Sequence, residues 1–163
     1  MKKILLILPL IIFSLAPGFA GEKAELKWRT FDEASAQASK SKKKVLVDVY
    51  TDWCKWCKKM DADTYSDSTV MNYLNKKFVV AKLNAESEDQ VTFEGEKHTS
   101  AEFAQMLGVK GYPTIVFFGP DGKVITALST YLDAEKFLHV VKFIGDDKYE
   151  KMNFDEFEKQ YKD

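Results

Sequence analysis

Cys54 and Cys57 are the only thiols in this 163-residue chain. They stand in Trp53-Cys54-Lys55-Trp56-Cys57, directly after the apolar, β-branched run Val45-Leu46-Val47-Asp48-Val49-Tyr50. That run predicts a buried strand, and the cysteine segment after it predicts the start of a helix. Thiols three residues apart at such a junction can close a disulfide within one helical turn. The first sits where unpaired N–H groups and the helix dipole stabilise a thiolate. A thiolate is the nucleophile of disulfide exchange, and a second thiol one turn on resolves the mixed disulfide. The pair points to dithiol/disulfide exchange.

Other uses of the pair fit less well. A structural staple works by closing a long loop in the unfolded chain, and this loop is short. With 45% apolar residues, the chain is also able to bury a core without one. Haem attachment needs a histidine directly after the second cysteine, where this chain has Lys58. A structural zinc site needs four ligands. The only histidines, His98 and His139, stand 41 positions apart and read as a loop residue and a helix-surface residue. Neither a metal nor a dissociable cofactor is expected.

The elements that must position the thiols emerge from capping and periodicity. Thr30-x-x-Glu33 is a capping box, which predicts a helix over about 31–42. The strand over 45–50 comes next, then a helix over 54–63, a break near Ser66-Asp67 and a short helix over 68–76. Residues 78–83 form the next apolar run, so strand, helical crossover and strand predict a parallel, right-handed unit. After a polar stretch, Thr99-x-x-Glu102 caps a helix ended by Gly108. Thr114–Phe118 and Val124–Leu128 flank Gly119-Pro120-Asp121-Gly122, a hairpin turn signal. Asp133 opens a helix with Phe137, Leu138, Val141 and Ile144 on one face. Asn153-x-x-Glu156 starts a last helix bearing Phe154, Phe157 and Tyr161.

Within this order, three motifs resemble the thioredoxin superfamily. They are Val45 to Tyr50 with Thr51-Asp52-Trp53-Cys54-x-x-Cys57-Lys58, then Val80-Ala81-Lys82-Leu83-Asn84, then Gly108-Val109-x-Gly111-Tyr112-Pro113-Thr114. The likeness covers about 26–144. Residues 60–74, with Thr64-Tyr65-Ser66-Asp67, are similar to exported thioredoxin-like proteins and to the periplasmic C-terminal domain of the membrane thiol-reductant conductor. Lys55-Trp56 departs from the Gly-Pro of ordinary thioredoxins. The resemblance implies an α/β thioredoxin fold, a central mixed sheet flanked by helices, with an extra C-terminal helix in the extension 145–163.

The same resemblance implies roles. Cys54 is the exposed attacking thiol, Cys57 the resolving thiol, and the two form the redox-active disulfide. Asp48 helps move the proton of the buried thiol, with Lys82 as its usual partner; a purely structural ion pair between them is the alternative. Pro113 is cis and holds the backbone of Tyr112 against the disulfide, where a substrate chain adds strand-like hydrogen bonds. Trp53 and Trp56, which flank the thiols, form an apolar docking collar, with core packing the alternative for each and the stronger one for Trp53.

The first twenty residues read as a leader. Lys2 and Lys3 precede the apolar stretch 4–15, and Gly18-Phe19-Ala20 places small residues before a cleavage point after Ala20. The alternative is an uncleaved membrane anchor, against which Pro9 and Pro17 shorten the apolar run. Cleavage removes two lysines and no acid, leaving 22 bases against 25 acids, far from the basic footprint of a nucleic-acid binder.

The expected organisation is thus a signal peptide over 1–20 and a thioredoxin-like domain over 21–163, exported to the periplasm or secreted, and monomeric. One stretch lies outside the family pattern: residues 85–98 hold Glu86, Glu88, Asp89, Glu94 and Glu96 against Lys97 alone. It reads as a solvated loop, or as a specificity loop on the same sheet edge as Cys54. The expected function is reduction of disulfides in exported partner proteins, with electrons from a redox partner protein. A disulfide oxidase or isomerase, and a non-catalytic binding module on the same scaffold, are the alternatives.

Overall fold

Alternation along the central strand, β1 (Lys44–Tyr50), divides the interior into two cores. Val45, Val47 and Val49 face one side and Leu46 the other, as the period of two requires. The computed structural model describes residues 25–161, so the expected leader lies outside the described residues. The main sheet runs in the order β2 (Phe78–Asn84), β1, β5 (Thr114–Phe118), β6 (Val124–Leu128). β1 and β2 are parallel, with Lys44 opposite Phe78 and Asp48 opposite Lys82, while β5 and β6 run antiparallel.

Helices cover both faces. On the Val45 side pack α1 (Phe31–Ser41) and α4 (Ser100–Met106), led by Phe31, Ala34, Ala38 and Phe103. On the Leu46 side pack α2 (Lys55–Asp63), α3 (Ser68–Lys77) and α5 (Ala134–Gly145) through Met60, Val70, Leu74, Phe137 and Val141. Both expected capping boxes form: Thr30 with Glu33 and Thr99 with Glu102 each exchange side-chain and backbone hydrogen bonds. This is the thioredoxin fold expected from the sequence. Among the described residues no helix is long and apolar enough to cross a membrane.

Two expectations need correction. The stretch read as a loop contains a hairpin of β3 (Gln90–Phe93) and β4 (Glu96–Thr99), turning through Glu94 and Gly95 at φ 53° and 88°. His98 therefore lies in a strand. Val91 is only 3% exposed, and the Phe93 ring lies 5.0 Å from that of Phe103 and 6.2 Å from that of Phe31. Two apolar residues at i and i+2 are a strand signal that the acidic composition obscured.

His139 is also not on the surface. α6 (Phe154–Tyr161) lies over the outer face of α5, with Phe154 and Phe157 each 5.3 Å from Phe143. His139 is buried there, its Nδ1 2.9 Å from Oε1 of Glu158 and its ring 4.3 Å from Tyr161.

At the opposite edge the chain enters beside β2. The Arg29 N–H donates to the Val80 carbonyl (3.2 Å) and the Lys82 N–H to the Arg29 carbonyl (3.1 Å), which sets Arg29 level with Ala81. The entering segment runs parallel to β2, so it starts at the sheet end where Lys44 and Phe78 pair. Asn75 Nδ2, near the end of α3, holds the Glu25 carbonyl there.

Candidate active site

Strands β1 and β2 end together, the Ala85 N–H donating to the Tyr50 carbonyl at 2.9 Å, and both cysteines come just after this edge. Cys54 is the N-cap of α2, its extended backbone leading into the first turn. Its sulfur accepts from the Cys57 N–H at 3.0 Å, the capping contact that a serine or aspartate makes elsewhere. The two cysteines are joined, S–S 2.08 Å and Cα–Cα 5.3 Å. Cys54 is 4% and Cys57 3% exposed, which corrects the expectation of an exposed first thiol. As the cap, the Cys54 sulfur is turned over the first helical turn instead of outward.

The exposed groups here are aromatic. Trp53 and Trp56 are 63% and 56% exposed, so neither packs in the core. Trp53 Nε1 donates to both carboxylate oxygens of Glu86 (2.9 and 3.0 Å), and its ring lies 5.8 Å from Tyr112. Glu86 thus brings the acidic stretch to the cysteine edge. The Tyr112–Pro113 peptide is cis. Thr114 steadies this loop by donating to the Gly111 carbonyl (2.7 Å). Trp56 leans on Tyr131 (5.2 Å), and these two with Tyr112, Pro113 and Thr130 line a groove of about 380 Å³. Tyr131 had no sequence signal; it comes after an ordinary strand end.

Beneath α2 lies a buried charge. Asp48 is 1% exposed, and neither of its oxygens is hydrogen-bonded. Lys82 Nζ stands 3.3 Å from its Oδ2 but turns mainly to Asp61, at 2.5 and 2.7 Å from the two oxygens. The ammonium also lies over the rings of Trp28 (5.1 Å) and Tyr50 (5.2 Å). Burial pushes the Asp48 carboxyl up to about 6; Lys82 opposes this and Asp61 adds to it.

Cys57 and Asp61 are one turn apart on α2, so the helix face that carries the second thiol also reaches the Lys82–Asp48 pair. Asp61 is the member of this cluster that has no sequence signal of its own. In a single sequence nothing distinguishes it from Asp63 two residues on.

A helix-capping Cys-x-x-Cys disulfide, a cis-proline loop at the same sheet edge and a buried carboxyl on the central strand are groups that dithiol/disulfide exchange can use. Residues 31–145 match the family described as a thioredoxin-like domain, and this chain belongs to it. A relative is the thiol:disulfide interchange protein DsbD of Pectobacterium atrosepticum, 34% identical over 114 residues. The match covers 68% of this chain and 18% of that protein. Among solved structures, a thioredoxin-fold protein from Helicobacter pylori is similar with a TM-score of 0.61 and 27% identity, covering 75% of this chain and 81% of the other. A thioredoxin from Thermus thermophilus has the same TM-score at 28% identity, covering 74% and 87%.

Proposed function

We propose that this protein is an exported reductant that breaks disulfides in partner proteins. The observation that carries this reading is the Cys54–Cys57 pair at the N-terminus of α2, beside an aromatic groove that ends on Pro113. In the dithiol form, the Cys54 thiolate attacks a partner disulfide and expels one partner thiolate, giving a mixed disulfide. The Cys57 sulfur then attacks Cys54, releases the second partner thiolate and leaves the protein oxidised. Two electrons have passed to the partner, and a separate redox protein returns them.

Asp48 takes the proton of Cys57 as that thiol becomes a nucleophile, and Lys82 balances the charge that results. Trp53, Trp56 and Tyr112 form the docking surface, with Pro113 presenting the Tyr112 backbone. The 34% identity to a thiol:disulfide interchange protein supports the class of reaction. The leader over 1–20 supports export, with cleavage after Ala20.

The test is the redox potential of the pair, set against a glutathione series. A reductant is expected at about −230 mV or lower, whereas isomerases and oxidants sit near about −180 and −120 mV. A value in the upper range would reverse the direction. A Cys57→Ser variant should trap mixed disulfides with exported proteins, and Cys54→Ser should trap none.

A further inference from the structure

A second apolar space shares a wall residue with the docking groove. Leu128 pairs with Ile115 and Thr126 with Phe117, so both β6 residues point to the α5 side of the sheet. Between them and Val140, Phe143 and Ile144 of α5 is a second cavity of about 360 Å³. Phe154, at the start of the extra helix α6, closes its far wall, and Thr130 borders both this cavity and the groove. Thr130 therefore stands in the wall of both spaces.

This is not a packing void. Leu128, Leu132, Val140, Phe143 and Phe154 all keep part of their surface exposed, whereas a closed void is walled by buried groups. Among the described residues the only polar side chains lining it are Thr126 and Thr130, a wall suited to an apolar group more than to a charged or sugar-like ligand. A volume in this range with an apolar wall fits a ligand group. β6 is the last strand of its sheet, and among the described residues no strand pairs with its outer edge. An extended chain held in the groove can continue along that edge, where alternate side chains turn to the α5 face.

Resting on the proposed reductant role, we propose that this cavity seats one large apolar side chain of the partner polypeptide, Phe or Leu, about two to four residues from its reacting cysteine. The extra helix then has a part in partner choice, because Phe154 supplies one wall. Burying such a side chain should raise the exchange rate about tenfold or more over a glycine analogue.

The probes are disulfide-linked peptide dimers in which Phe replaces Gly at successive positions from the cysteine. Reduced protein should react at least about tenfold faster with one of these placements than with the all-Gly dimer. Val140→Phe and Thr126→Leu fill the cavity; each should abolish that advantage and leave the rate with hydroxyethyl disulfide within about twofold. An advantage for no position, or one that survives both variants, overturns the inference.

A second readout does not depend on the thiols. Alkylated Phe peptide, and not its Gly analogue, should shift the methyl resonances of Leu128, Leu132 and Val140. No shift overturns the cavity assignment whatever the exchange rates. Failure with every disulfide, alongside normal methyl shifts, would instead overturn the proposed reaction.

Discussion

Asp48 is the residue at which stability and chemistry pull apart. Its carboxyl titrates near 3.8 when unfolded and about 6 when folded, because burial disfavours the charged form. Below pH ~4 both states are protonated and no ionisation penalty remains; above about 6 the folded state carries one of about 3 kcal/mol. Asp48→Asn should therefore be more stable than the parent near pH ~7, and the gain should fade as pH drops from ~6 to ~4. Urea titrations across that window measure it, and a pH-independent change would locate the effect elsewhere. The same variant should slow release of the mixed disulfide while sparing the first attack, which stopped-flow traces of the two steps separate. The cysteines were legible because their types and spacing carry the chemistry locally. The role of Asp48 and the cis-proline loop were legible only through the resemblance of their motifs to the thioredoxin superfamily. Asp61 was not, since its contact with Lys82 exists only once α2 lies across β1 and β2.

At the scale of elements, the β3–β4 hairpin holds together two separable contributions. Its apolar residues belong to the core, where Phe93 joins the rings of Phe31, Phe103 and Phe118. Phe93→Ala should cost about 2 kcal/mol, less than a fully buried ring because Phe93 is half-buried, as read from thermal unfolding. Its backbone is pinned too, the Asp32 carboxylate accepting from the Thr92 N–H at 2.8 Å. The acidic side chains are different, since Glu88, Asp89, Glu94 and Glu96 make no ion pair among the described residues. Changing these four to Gln should leave the melting temperature within ~2 °C while slowing association with a basic disulfide peptide, an effect that salt diminishes. Helix starts were readable because Thr30, Thr99, Asp133 and Asn153 supply their own caps. The hairpin was not: Val91 and Phe93 give only two points of a period, and the surfaces they bury against come from α1, α4 and β5.

Across the whole molecule, the family core and its extension divide the work of covering α5. Phe137, Val141 and Ile144 face the sheet, while His139 and Phe143 face α6. Ending the chain after Met152 should lower stability by about 2–4 kcal/mol through exposure of Phe143 and loss of the Glu158 contact to His139. Reaction with hydroxyethyl disulfide should survive, because the cysteine edge draws on other elements; melting curves and exchange rates together check both halves. The entry of the chain beside β2 has a consequence of its own. Residue 25 leaves the fold at the sheet end that begins β1 and β2, while the disulfide lies beyond the end where they finish. An attachment made ahead of it is therefore made from the back of the molecule. Held on a solid support by its N-terminus, the protein should meet dissolved disulfides as freely as it does in solution.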